Sequence, residues 1–226
     1  MTNTSTCYMC DSLETSREHA PPLCFFPKAK QIGRDLRRNL ITVPSCDRHN
    51  SDKSKDDEFL RCVILMTAGN NKAGQQQFLW KLLPAAARAP HAYKSFFADK
   101  GTVAQGNGRA LQIDRKRFNR CIDNLERAIF FNVYKHKWIL PISIVSPNFN
   151  SGIYSDQILA HQPTVKAVEI SRRFLGNETI RGENPDVFRY RIRYDEADEC
   201  YAFAAIFYDC FEVYSFSSRE LTRTAV

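Results

Sequence analysis

The sequence lacks any apolar run that approaches the roughly 18–20 residues needed to span a bilayer. Its first residues, MTNTSTCYMC, have neither the basic nor the apolar segment of a secretory signal. We therefore expect a cytoplasmic protein that makes no membrane contact. In a reducing compartment, the eight cysteines would not form a disulfide framework. Internal repeats and low-complexity tracts are also absent.

The composition is that of a folded chain with an anionic partner. Of the 226 residues, 43% are hydrophobic, which is enough for one large domain or two small ones. The formal net charge of +7 favours an anionic partner over a cationic one. Residues 61–140 hold 14 Lys and Arg against 4 Asp and Glu. This middle region is therefore the candidate for binding phosphates.

Two short motifs have the spacing of a zinc knuckle. Cys7-x-x-Cys10 lies near the start of the chain, and Cys46-x-x-His49 follows later. Three thiolates and one imidazole would fill all four positions of a tetrahedral ion, so the predicted Zn²⁺ is structural. The other cysteines lie in or near apolar segments and are expected to be small core residues: Cys24, Cys62, Cys121, Cys200 and Cys210.

Three further residues have side chains suited to phosphodiester hydrolysis. This reaction needs a base that activates water and a cation that neutralises charge on the phosphate. His19 is preceded by the carboxylate of Glu18, and Asn50 directly follows a predicted zinc ligand. Carboxylate and amide oxygens suit a hard ion such as Mg²⁺. Taken singly, Glu18-His19 could be a surface dipeptide and Asn50 a helix cap.

The first 65 residues or so resemble the HNH (ββα-metal, or treble-clef) endonuclease family. The resemblance lies in an ordered set of motifs: Cys7-x-x-Cys10, Glu18-His19 with Pro22, Asn39-Leu40, and Cys46-x-x-His49-Asn50 with Lys53.

This resemblance implies a role for each of the residues that zinc would not use. His19 would be the general base, and Glu18 and Asn50 would hold a catalytic Mg²⁺ or Mn²⁺ ion. Asn39 would brace the loop. The chain is an H-N-N variant, because Asn50 stands where a histidine is usual. His49 stands where a fourth zinc cysteine is usual, which leaves open that it ligates the catalytic metal instead.

Basic residues in two places are candidates for contacting nucleic acid. Lys53 and Lys55 could contact the scissile or a neighbouring phosphate, or be solvated helix charges. Arg115, Lys116 and Arg120 lie mainly off the apolar face of a long predicted helix and could follow a nucleic-acid backbone. A solvated amphipathic face explains them equally well. The acidic residues at 56–58 are expected to be first-turn helix acids rather than metal ligands.

The pattern of hydrophobic residues predicts an α+β protein in two parts. Residues 1–69 would form the zinc-stabilised ββα-metal (treble-clef) HNH module, with a strand over 40–43 and a helix that starts at a capping box of Ser54 and Asp57. Residues 70–226 would form a mixed α+β domain of unknown role. It would contain a long helix capped by Asp114 and end in antiparallel strands, where apolar residues alternate with Arg189, Arg191 and Arg193.

We therefore expect a metal-dependent endonuclease that hydrolyses DNA. RNA as the substrate stays open. The alternative is a non-catalytic zinc-knuckle module that binds nucleic acid or protein. The resemblance alone implies a role in restriction or anti-phage defence, with a homodimer or a partner subunit of a defence complex.

Overall fold

The fold combines antiparallel sheets with helices, as predicted for an α+β protein. The computed structural model describes residues 5–96, 102–105, 108–111, 113–149 and 163–219. Within these ranges the strands form two two-stranded sheets and one four-stranded sheet. The sequence pattern also predicts a helix over 153–160, and this segment lies outside the described residues.

The amino-terminal part consists of two strands followed by a helix. Strand β1 (Ser16–His19) pairs antiparallel with β2 (Thr42–Ser45), and the long connection between them contains helix α1 (Ala29–Ile32). Helix α2 (Ser54–Leu65) follows β2 after two short 3-10 turns. Strand β2 begins two residues later than predicted and includes Pro44, which a two-stranded sheet tolerates because both strands are edges.

The predicted capping box of α2 is wrong. Ser54 is the first helical residue, and the residue at the cap, Lys53, makes no capping hydrogen bond with its side chain. Asp57 instead accepts a hydrogen bond from Lys53 Nζ at 3.1 Å. Asp57 is therefore part of a charge cluster with Lys53 and Glu18, described below, and not of a cap.

The middle of the chain is a run of short helices and one hairpin. The helices are α3 (Lys72–Gln77), a π-helical turn (Phe78–Leu82), α4 (Leu83–Arg88) and α5 (Pro90–Ser95). The sequence Gly106-Asn107-Gly108 predicts a turn between short strands near 102–105 and 110–113. Strands β3 (Thr102–Gln105) and β4 (Gly108–Leu111) do pair antiparallel, and β4 begins two residues earlier than predicted.

The carboxy-terminal part packs a long helix against a meander of strands. Helix α6 (Arg115–Tyr134) begins after Asp114, whose side chain accepts from the Arg117 N–H at 3.0 Å, which confirms the predicted cap. The remaining elements are β5 (Ser143–Val145), α7 (Pro163–Phe174), β6 (Phe188–Asp195), β7 (Cys200–Phe207) and β8 (Phe211–Ser218). The sheet order is β5-β8-β7-β6, antiparallel throughout.

One cluster of buried hydrophobic residues draws on both predicted parts. The Phe25 ring lies 5.5 Å from the Phe207 ring, and Tyr208 Oη donates to the Phe25 carbonyl at 2.6 Å. The division of the chain after residue 69 stays a prediction. Among the described helices, none combines the length and the apolar character that a bilayer crossing requires.

Candidate metal centre and adjoining cleft

The four predicted zinc ligands converge on one point. His49 Nδ1 lies 3.4, 3.5 and 3.3 Å from the sulfurs of Cys7, Cys10 and Cys46, and all four ligand atoms lie within 4.8 Å of one another. A tetrahedral zinc ion would separate two sulfurs by about 3.8 Å and a sulfur from a nitrogen by about 3.6 Å. Cys10 Sγ and Cys46 Sγ are 3.8 Å apart. The cluster could therefore hold a structural metal such as zinc.

Local turns place these ligands. The backbone bridge between Thr6 and Leu13 closes a loop in which Cys7 N donates to the Ser12 carbonyl at 2.9 Å. The Tyr8 N–H then donates to the carbonyl of Pro44 in β2 at 2.8 Å, which docks this loop on the strand. Cys46 directly follows β2, so the same strand delivers the second pair of ligands.

Beside this cluster, Glu18, His19 and Asn50 line a single cleft of about 330 Å³. The first two residues end β1, and the third follows the second pair of ligands. The structure thus brings together the three residues to which the resemblance assigns the catalytic metal (Glu18 and Asn50) and the general base (His19). Asp57 and Glu58, from the first turns of α2, line the same cleft.

Asn50 fixes the end of the turn to β1. Its Nδ2 donates to Ser16 Oγ at 2.8 Å and to the Arg17 carbonyl at 3.3 Å. A carbonyl only accepts, so the amide nitrogen must face β1, and the amide oxygen is the atom left for a ligand. Asn50 makes no capping hydrogen bond with its side chain. The simpler explanation of this residue as a helix cap is therefore not supported.

Glu18 is buried, and its carboxylate forms an ion pair. Lys53 Nζ lies 2.6 Å from Glu18 and 3.1 Å from Asp57, and the Lys53 side chain is only 10% exposed. Burial raises the pKa of Glu18 to about 7, against the opposing effect of the Lys53 charge. Burial also raises the pKa of Asp57. Glu18 is therefore not part of a surface dipeptide.

This cluster corrects two interpretations of the sequence. Lys53 was expected either to contact a phosphate or to be a solvated charge, but its ammonium lies between two carboxylates. Asp57 was expected to be a first-turn acid only, but it shares that ammonium with Glu18. The spacing of Lys53 and Asp57, four residues apart at the start of α2, could have signalled the pair. Nothing local could have signalled the partner on β1.

The environment of His19 favours the neutral form of its imidazole. Its side chain is half-buried, and burial together with the nearby Arg37 lowers the pKa of the imidazole below its usual value. At neutral pH the ring is therefore mainly neutral, which is the form that accepts a proton. Among the described residues, no hydrogen bond occupies its ring nitrogens.

Asn39 does not join this cleft. It lines a separate cleft of about 560 Å³ together with Ile180 and Asn184. Its side chain makes no bracing hydrogen bond to any part of the chain that is described. The backbone of Asn39 has φ 52°, in the left-handed region that asparagine tolerates better than most residues. The turn conformation, rather than a brace, therefore accounts for asparagine at this position.

The candidate nucleic-acid contacts fall into two groups. Lys55 and Lys116 are exposed. Arg120 donates to Asp56 at 2.9 Å, and the Arg115 guanidinium lies 4.3 Å from the centroid of the Phe149 ring. Both arginines therefore have intramolecular roles, although each keeps exposed surface. The two lysines are the freer candidates for phosphate contacts.

Comparison with known proteins assigns neither a family nor an activity. No protein-family model, no curated protein and no solved structure matches the chain.

Proposed function

We propose that this protein is a metal-dependent endonuclease of the HNH type, with DNA as its substrate. The observation that supports this most is the shared cleft of Glu18, His19 and Asn50, next to a four-ligand metal cluster. The order of β1, β2 and α2 around that cluster agrees with a ββα-metal (treble-clef) module.

The cleft has donors that suit a hard cation. Glu18 supplies a carboxylate and Asn50 an amide oxygen, and such oxygens are typical ligands of Mg²⁺ and Mn²⁺. When bound, such an ion would neutralise charge on the scissile phosphate and on the leaving oxygen. Lys53 already brings one positive charge to Glu18, so binding of an ion would have to compete with this ammonium or share the carboxylate with it.

In this mechanism His19 takes a proton from the attacking water. The water oxygen bonds to phosphorus as the bond to the leaving oxygen breaks, and the neutral imidazole is the acceptor that this step needs. Asn50 holds the Arg17 carbonyl, two residues before His19, and so positions the base. Because one such site cuts one strand, double-strand cleavage would need a dimer or two encounters.

The basic middle region would supply attraction to the substrate. Exposed Lys55 and Lys116 can contact phosphates without reading the sequence of bases. Contacts of this kind do not separate DNA from RNA, so competition between the two substrates is the measurement that decides between them.

A plasmid-nicking assay tests the proposal. Zinc-loaded wild-type protein, His19→Ala and His91→Ala are incubated with supercoiled DNA and Mg²⁺ or Mn²⁺. Loss of a general base costs about 10²- to 10⁴-fold, so His19→Ala should lose at least 100-fold in rate. His91, exposed on α5 and outside the cleft, is the matched control. Equal rates for wild type and His19→Ala would show that the assigned base is wrong.

The alternative is a zinc-stabilised binding module without catalysis. The contact between Lys53 and Glu18 favours it, because the ammonium lies on the carboxylate that a metal would need. This alternative predicts binding of nucleic acid that does not respond to Mg²⁺, measured by fluorescence anisotropy, and no nicking in any divalent ion.

A further inference from the structure

The face of the four-stranded sheet opposite α6 has an unusual row of arginines. Along β6, the buried residues Phe188, Tyr190 and Ile192 alternate with Arg189, Arg191 and Arg193. The apolar set joins the main core, so the arginines project from the other face. Helix α7 contacts this second face, where Phe174 meets Phe216 of β8.

Between α7 and the sheet lies a groove of about 370 Å³. Three arginines line it: Arg172, Arg189 and Arg191. Between them the surface is largely apolar and includes Leu175 and Ile206. The volume is within the range of about 300–1,000 Å³ that is typical of small-molecule sites.

Two of these arginines have acidic partners. Arg172 Nη2 lies 2.8 Å from a Glu212 carboxylate oxygen, and Arg189 forms an ion pair with Asp209. Arg191 pairs with no carboxylate in the described ranges, and its Nε is buried without a hydrogen-bond partner there. The groove therefore contains one uncompensated positive charge.

Such a group is costly unless a ligand satisfies it. A buried donor without a partner loses its hydration and gains nothing in return, and the loss is larger for a charged group. The Arg191 guanidinium has only N–H donors, so only an acceptor can satisfy it. An anion with several acceptor oxygens would satisfy the fork of N–H groups, and phosphate fits this geometry.

We propose that this groove binds a phosphorylated ligand of about mononucleotide size. The phosphate would lie against Arg191, and a flat or apolar body would lie on Leu175 and Ile206. Two sources offer this chemistry, a free nucleotide and the terminal nucleotide of a strand. The proposal does not depend on nuclease activity, because none of these residues lines the cleft of His19.

Calorimetric titration and thermal unfolding of the full chain test the groove. The probes are AMP, inorganic phosphate and a single-stranded DNA of ten nucleotides with a 5′-phosphate. Arg191→Leu should weaken binding of AMP or the oligonucleotide at least tenfold. Arg173→Leu, which changes an exposed arginine of α7 outside the groove, should bind as wild type does.

Stability without ligand provides the second readout. Arg191→Leu removes the unpaired charge and should unfold at a temperature no lower than that of wild type, so weaker binding would not reflect a damaged fold. Binding of AMP would identify the ligand as a free nucleotide. Binding of the oligonucleotide but not of AMP would identify it as the end of a strand. Equal binding by Arg191→Leu, or no binding of any probe, would overturn the proposal. If inorganic phosphate alone bound as tightly as AMP, the proposed contact of an apolar body with Leu175 and Ile206 would be wrong.

Discussion

At the scale of single residues, Lys53 connects the two halves of the candidate site. Its ammonium contacts Glu18 on β1 and Asp57 on α2, and the Glu18 side chain is only 5% exposed. Two carboxylates and one ammonium in a buried place are tolerable only while they remain together, because each loses its hydration there. The same side chain therefore supports the fold and sets the charge of the cleft.

Replacing Lys53 should reveal that dependence. Lys53→Met leaves the buried carboxylate of Glu18 and the partly buried carboxylate of Asp57 without a cation, so we expect a loss of about 3 kcal/mol in the free energy of unfolding at pH 8. The loss should be smaller at pH 5, where both carboxyls can take up protons instead. Urea unfolding of the zinc-loaded protein measures it. Lys55→Met, an exposed neighbour, should stay within about 0.5 kcal/mol. If the two variants are equally stable, the cluster does not support the fold.

Glu126 is a second buried acid, in the middle of α6. It accepts hydrogen bonds from Ser215 Oγ and, at 3.4 Å, from Tyr201 Oη, and burial raises its pKa strongly. An unfolded glutamate has a pKa of about 4.3. Because the folded pKa lies higher, the stability that Glu126 contributes is complete below the unfolded value and is lost as the pH rises towards the folded one.

The variant Glu126→Gln should remove this dependence. While the folded state alone holds the proton, the free energy of unfolding falls by about 1.4 kcal/mol per pH unit. The free energy of unfolding of the variant, relative to that of wild type, should therefore rise steadily between pH 5 and pH 8. Urea unfolding at each pH measures it. Glu169→Gln, exposed on α7, should run parallel to wild type. If the pH dependence of stability in Glu126→Gln were also parallel to that of wild type, Glu126 would be ionised in the folded core.

Sequence reasoning works at this scale where a few residues of fixed spacing carry the chemistry. The four metal ligands could be predicted because thiolates and imidazoles at such spacing have few other uses. The surroundings of Lys53 and Arg191 could not be predicted, because their partners, or the lack of a partner, depend on strands and helices far away in the chain.

At the scale of elements, the loop that carries Cys7 and Cys10 is held by packing and by hydrogen bonds. Cys7 and Tyr8 are buried in the main core, the Tyr8 N–H donates to the Pro44 carbonyl, and Lys137 Nζ donates to the Cys10 carbonyl at 2.7 Å. A metal would add the cross-link between Cys10 and the second pair of ligands. Boundaries in this region were difficult to predict. The capping signal at Ser54 is misleading because α2 begins one residue earlier than the motif requires: Ser54 is already helical, and Lys53 is the residue at the cap.

Removing one ligand should release this loop. We expect wild type to bind one zinc ion; Cys10→Ser should lose it, and amide hydrogen exchange in residues 5–15 should accelerate. Cys24→Ser is the matched control, because the Cys24 thiol is outside the cluster and burial raises its pKa to about 12. It should keep one zinc ion per chain. Unchanged zinc affinity in Cys10→Ser would contradict the ligand assignment.

At the scale of the whole molecule, the amino-terminal ββα unit and the carboxy-terminal sheet share one core. Asn184 donates to the Arg38 carbonyl at 3.1 Å, and Phe25 packs against Phe207. The order of elements along the chain could largely be predicted from apolar periodicity. Their docking could not, because it depends on which apolar faces fit together rather than on the pattern within any one element.

The central claim is that a metal-held frame presents a base and two oxygen donors to one cation. The most direct measurement is anomalous diffraction from crystals of the zinc-loaded protein soaked in MnCl₂. We expect a manganese peak in the cleft, at bonding distance from Glu18 and the amide oxygen of Asn50, with Lys53 moved off the carboxylate. An intact zinc cluster with no manganese at Glu18, and with Lys53 still in contact, would contradict the account.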